Sequence, residues 1–130
     1  IGKGVIIKPK VCIKYPWKLE IGANTWIGEN VWIDNLDVVK IGSNCCLSQG
    51  ALLLSGNHNY KKKSFDLLVR PITIEDGAWV GARAVVVQGV IMKTHSILTV
   101  NSVATANLEP YGIYQGNPAV KIRERIISES

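Results

Sequence analysis

An aliphatic residue returns at every sixth position along most of this 130-residue chain, and that period constrains the fold more than any other feature. Ile1, Ile7 and Ile13 open the series, followed by Ile21, Ile27, Ile33 and then Ile41, Leu47, Leu53. It resumes at Ile74, Val80, Val86, Met92 and Leu98 and ends at Ala104. Two residues before most of these stands a small or β-branched partner such as Thr25, Val31, Cys45, Ala51, Ala78, Ala84, Ser96 or Ser102. One residue earlier still comes Gly or Asn: Gly4, Asn24, Asn30, Asn44, Gly50, Gly77, Gly89, Asn101, Asn107. A six-residue period fits neither a helix nor a simple alternating strand. It fits a short strand and a tight turn, repeated. The two apolar positions of a unit are two residues apart, so both point inward, and the Gly/Asn column supplies turns with positive φ. Strands this short cannot stand alone; coils must stack about 4.8 Å apart over a shared core, which makes a β-solenoid.

The breaks in the period fix the cross-section. Steps of eight (Ile13 to Ile21, Ile33 to Ile41) and of twenty-one (Leu53 to Ile74) each follow three regular units. Three units per coil put all three insertions at one corner of a three-sided prism. Residues 54–73 are then a loop thrown out from that corner, and long loops in compact domains are usually functional. The outward positions separate the faces. One reads Ile6, Trp26, Cys46, Trp79, Ile97; the next Cys12, Trp32, Leu52, Val85, Val103; the third Glu20, Lys40, Thr73, Ile91. Two apolar faces beside a polar one predict self-association, and a homotrimer uses both. The repeat domain spans residues 1–109 with the inserted loop 54–73; residues 110–130 read as a connecting loop and a short helix over 120–127, with Ile122, Ile126 and Ile127 on one side.

Composition excludes several classes. Apolar residues make up 47% and charged residues 19% of the chain, which suits a packed core. No apolar run approaches the roughly 18 residues of a membrane span, so membrane insertion is not expected. Three cysteines, two of them adjacent, make no disulfide framework, and a cytoplasmic setting is the expectation. The net charge of +5 would suit nucleic acid, but the bases lack aromatic interleaving or a binding motif, so no nucleic-acid partner is expected. Lys61, Lys62 and Lys63 read as a solvated loop face.

The unit Ile21-Gly22-Ala23-Asn24-Thr25-Trp26 resembles the repeat of the hexapeptide-repeat acyltransferases. Gly56-Asn57-His58-Asn59-Tyr60, the stretch 74–82 and Gly116-Asn117-Pro118-Ala119 sharpen the likeness toward sugar O-acetyltransferases of exopolysaccharide synthesis, of the colanic-acid type. The resemblance implies a left-handed parallel β-helix, a homotrimer with sites between protomers, acetyl-CoA as donor and a carbohydrate hydroxyl as acceptor, with no metal. The handedness comes only from the resemblance, since the general rule for parallel crossovers is right-handed.

Oxygen acyl transfer needs a base for the hydroxyl proton, and imidazole titrates in the useful range. His58, on the one long loop and at the family's histidine motif, is the catalytic candidate. His95 falls in the turn column and reads as structural. The resemblance puts Trp79, Gly81 and Ala82 along the donor, with backbone N–H groups of residues 79–82 as oxyanion donors and Thr105 near the pantetheine arm. The bases after the Gly-Asn-Pro-Ala turn depart from the family pattern: Val120 stands where a base is common. Lys121 and Arg123 are therefore expected to carry the coenzyme phosphates, with Arg125 pointing away. Asp34 and Asn35 at the insertion corner, and Asn57 and Asn59 flanking the histidine, are candidates for the acceptor, a plain turn being the alternative at residues 34–35. An N-acetyltransferase, and the same prism as a non-catalytic scaffold, remain alternative functions. A γ-class carbonic anhydrase would need three histidine ligands, and this chain has two.

Overall fold

A computed structural model describes residues 1–128; Glu129 and Ser130 lie outside the described residues. The chain is all-β, a left-handed parallel β-helix whose strands stack into three faces. Face 1 holds Ile6–Ile7, Trp26–Ile27, Cys46–Leu47, Trp79–Val80 and Ile97–Leu98 in parallel register. Face 2 holds Cys12–Ile13, Trp32–Asp34, Leu52–Leu54, Val85–Val87 and Val103–Ala104. Face 3 holds Leu19–Ile21, Val39–Ile41, Ile72–Ile74 and Ile91–Met92. The six-residue columns become the ladders of the sheets: Ile27 lies beside Leu47, and Ile33 beside Leu53.

The core runs up the prism axis. Ile27, Ile33, Leu47, Leu53, Ile74, Val80, Val86, Met92 and Leu98 are all fully buried or nearly so, as are the small partners Ala51, Ala78 and Ala84. Backbone groups are satisfied between coils, as when Gly22 N–H donates to Ile41 O and Gly42 N–H to Ile74 O. The turn column has positive φ at Asn24, Asn30, Asn44, Gly50, Gly77, Gly89 and Asn101. His95 (φ 59°) takes the same conformation, and its ring stacks on Tyr111 at 4.8 Å, leaving no room for a Cβ at Gly77. Lys10 and Arg83 adopt positive φ by position alone, whereas Asn107 does not and instead accepts the Ile91 N–H on its side chain.

All three insertions emerge between faces 2 and 3. The first contains a 3-10 turn at Pro16–Lys18, and the third is a β-hairpin, Gly56–His58 paired antiparallel with Leu67–Val69. The short helix expected over 120–127 is absent. Gly112–Gly116 adds a parallel strand to face 1, and Ala119–Glu124 folds back antiparallel on it. Ile122, Ile126 and Ile127 fit a helical face, but Val120-Lys121-Ile122-Arg123 alternates equally well. The open edge of face 1 offers unpaired N–H and C=O groups, and their pairing decides the outcome. Among the described residues no helix is long and apolar enough to cross a membrane.

Candidate functional site

His58 ends the outgoing strand of the hairpin, whose tip is tied by Asn59 N–H to Asp66 O (2.8 Å) and by Phe65 N–H to Lys62 O (3.0 Å). Phe65 returns under the histidine with φ 51°, a conformation unfavourable for a bulky side chain. That turn aims two groups at one ring. The Phe65 carbonyl lies 2.9 Å from His58 Nδ1, and the Phe65 ring stacks on the imidazole at 4.2 Å and 9°. A carbonyl only accepts, so Nδ1 carries the proton and donates it. In the neutral ring Nε2 is then an unprotonated acceptor, the form a general base requires. His58 is exposed.

The Trp79–Val80 strand runs into the corner between faces 1 and 2, where Ala84 N–H closes a turn on Gly81 O (3.1 Å). Arg83 in the third place has φ 56°, as a type II turn demands. Of the four N–H groups from Trp79 to Ala82, two are engaged by the next coil: Trp79 donates to Ser96 O and Gly81 to Leu98 O. Val80 lies within the paired strand, whereas the Ala82 N–H has no partner among the described residues. A Cβ on Gly81 would come within 2.7 Å of Leu98 O and of the Thr99–Val100 peptide, so coil stacking itself requires this glycine. Trp79 is half-exposed, and its indole Nε1–H donates to Ser48 Oγ at 2.8 Å. Below the same corner a notch of about 380 Å³ is lined by Lys8, Trp26, Gly28, Glu29, Asn30 and Gln49.

The two bases expected on the coenzyme phosphates part company. Arg123 pairs with Ile113, which continues the outward column of Trp79 and Ile97 on face 1. Lys121 pairs with Tyr114 on the capping side of the sheet and bonds Glu124, whose carboxylate holds the ammonium pKa above its usual value. Arg125 donates through Nη1 to Gly77 O (2.8 Å) and His95 O (3.2 Å), stitching the tail to the corner between faces 3 and 1. Lys121 is thus engaged within the tail, whereas Arg123 has no side-chain partner among the described residues.

Among the acceptor candidates, Asn35 is engaged inside the corner. It is fully buried, its Oδ1 accepting Tyr15 N–H (2.9 Å) and its Nδ2 donating to Tyr15 O (2.6 Å). Its amide shapes the corner. Asp34 keeps a partly exposed carboxylate without a protein partner among the described residues, while its backbone carbonyl accepts Ser55 Oγ–H. Asn57 and Asn59 use Oδ1 to accept the N–H groups of His58 and Lys61, and leave Nδ2 unbound. Thr105 is exposed on the His58 corner.

The sequence candidates therefore fall into two groups. Asp34, Asn57, His58, Asn59 and Thr105 lie at the corner between faces 2 and 3. Trp79, Gly81, Ala82 and Arg123 lie on face 1 and at its corner with face 2. Within one chain the width of face 2 separates them. Phe65 and Ser48 escaped the sequence reading, because a positive φ at phenylalanine leaves no compositional signal. His58 and His95 occupy different corners, and no group of three or more metal-ligating side chains occurs among the described residues. A concavity of about 590 Å³ along face 3 holds carboxylates already engaged in stacking the coils. Asp76 accepts Ser43 N–H, and Glu75 accepts Thr94 N–H.

No family model matches the chain. It is 35% identical over 129 residues to the Escherichia coli K12 protein named as a colanic acid biosynthesis acetyltransferase, WcaF, covering 99% of this chain and 71% of that one. The solved structure of a hexapeptide-repeat-containing acetyltransferase from Vibrio cholerae, complexed with acetyl coenzyme A, superposes with a TM-score of 0.91 at 24% identity, over 98% of this chain and 71% of that one. A galactoside acetyltransferase in complex with coenzyme A superposes with a TM-score of 0.88 at 26% identity, over 95% of this chain and 63% of that one.

Proposed function

The chain belongs to the hexapeptide-repeat acetyltransferases, and from that premise we propose that it moves the acetyl group of acetyl-CoA to a saccharide hydroxyl, at sites shared between the protomers of a cytoplasmic homotrimer. The observation that carries the reading is the His58–Phe65 pair, which leaves Nε2 as a free base on a projecting hairpin. Both tryptophan-bearing faces are apolar outside, with Trp26, Trp32 and Trp79 each 41% exposed or more, and that supports burial against neighbouring copies. With the hairpin of one protomer against face 1 of the next, the two separated residue groups meet.

His58 Nε2 takes the proton of the acceptor hydroxyl as its oxygen bonds to the thioester carbon. The Ala82 N–H donates to the oxygen on which negative charge gathers. When the C–S bond breaks, the proton on His58 passes to the departing sulfur and the base is regenerated. Asp34 and the free Nδ2 groups of Asn57 and Asn59 hold acceptor hydroxyls; Trp79 lines the donor groove and Thr105 lies near the pantetheine arm. Arg123, in line with Trp79, meets the coenzyme phosphates, so Arg123→Ala raises KM for acetyl-CoA with little change in kcat.

The test is acetyl-CoA turnover, read as free thiol, against a panel of sugars, nucleotide sugars and lipid-linked oligosaccharides. His58→Ala lowers kcat by about 10²–10⁴ with the best acceptor, the usual worth of a positioned base, and leaves assembly intact. Near-normal turnover in that variant would remove His58 from the mechanism.

A further inference from the structure

The corner that carries the His58 hairpin also carries an aromatic shelf two coils toward the N-terminus. The 3-10 turn Pro16–Lys18 presents Trp17, 77% exposed, beside Tyr15 with ring centroids 5.1 Å apart and tilted by 39°. An exposed tryptophan on a surface loop is ordinarily free to move, but this one is mounted on a built support. Buried Asn35 clamps both backbone polar groups of Tyr15, and Lys18 N–H closes the turn on Tyr15 O at 2.9 Å. Lys18 Nζ donates to Leu36 O (2.9 Å) while lying 5.5 Å above the Tyr15 ring, and Lys14 Nζ flanks the same ring at 5.9 Å. Leu36 in turn packs against Gly56 at the root of the hairpin.

The stacking order at this corner is thus Tyr15/Trp17, then Asp34, then the strand that leads to His58. Two coil spacings, about 10 Å along the axis, separate the shelf from the hairpin. A di- or trisaccharide covers that span. The C–H faces of a pyranose are weakly positive and apolar, so they pack on the electron-rich face of an indole, while hydroxyls at the ring edge find the Lys14 ammonium and the unpartnered Asp34 carboxylate.

We propose that Trp17, with Tyr15 beneath it, is a second sugar subsite, binding a residue of an oligosaccharide acceptor next to the one acetylated at His58. The proposal rests on the saccharide reading above and adds that the acceptor is at least a disaccharide. A stacked sugar contributes about tenfold to affinity, and Trp17 touches neither the donor nor the reacting atoms.

The experiment uses malto-oligosaccharides from glucose to maltotetraose as probes, with the full-length protein and saturating acetyl-CoA. In the wild type kcat/KM rises about tenfold between glucose and the trisaccharide and then levels off. Trp17→Ala flattens that rise through KM, leaves kcat and the KM for acetyl-CoA unchanged, and Trp17→Tyr restores most of it. The same chain-length profile in wild type and Trp17→Ala, or no rise in the wild type, would overturn the subsite while leaving saccharide acetylation standing. No turnover of any saccharide would overturn both together. Because Trp17 is mostly exposed, its replacement spares the fold.

Discussion

Single residues decide what this corner-and-face scaffold can do chemically. The role proposed for Ala82 rests on its amide rather than its side chain. It occupies the second place of a turn closed by Ala84 N–H on Gly81 O, where proline's φ is acceptable and only the free N–H would be lost. Ala82→Pro is therefore expected to keep the thermal midpoint within a few degrees while lowering kcat by about 10²–10³, the worth of one oxyanion donor. Unchanged kcat would show that the developing charge is met elsewhere. The three cysteines separate in the same residue-by-residue way. Burial pushes the Cys45 thiol up, so it stays protonated and covered, whereas Cys12 is exposed and Cys46 partly so. Iodoacetamide at mildly alkaline pH should leave Cys45 untouched until the protein unfolds, while Cys12 and Cys46, on the faces proposed to pack between copies, label faster once the assembly is dissociated, with the order read by mass spectrometry.

At the scale of elements, the hairpin is the proposed functional unit, and Phe65 holds its histidine in place. Positive φ at Phe65 puts its carbonyl on His58 Nδ1, so a residue that cannot take that conformation releases the imidazole. Phe65→Pro is expected to cost at least roughly tenfold in kcat, with KM for acetyl-CoA unchanged. Phe65→Asn, which tolerates the left-handed region, should retain most of it. Equal losses in both variants would mean that the ring, not the carbonyl, positions the base. The coils themselves were legible because each ladder position repeats in the sequence: Ile21, Ile41, Ile74 and Met92 stand side by side on face 3, and the insertions share the corner their spacing predicts. The tail was not. Val120 to Ile127 satisfies helical and strand periodicities alike, and only the unpaired edge left by Gly112–Gly116 selects the strand. The sequence offers Asn35 as an acceptor candidate or a plain turn residue, because nothing local announces that Tyr15, twenty residues away, takes up both ends of its amide.

The whole molecule raises the question of how many chains make one site. His58 and the Ala82 amide lie on opposite sides of face 2, so in the proposed account they act together only between copies. The outward columns of faces 1 and 2 were readable from the sequence, down to Trp26 beside Cys46 and Trp32 beside Leu52. The corner that carries the His58 loop was readable as well, from the spacing of the insertions, whereas the Phe65 turn that orients the imidazole was not. Co-expression of the His58→Ala and Ala82→Pro chains tests the shared site most directly. Each variant alone is nearly inactive. The co-expressed pool should recover about a quarter of wild-type turnover, the statistical share of interfaces that join an intact histidine to an intact amide, because each mixed trimer holds about one such interface in three. Mixed trimers as inactive as either parent would contradict the account, because base and oxyanion donor would then have to come from the same chain.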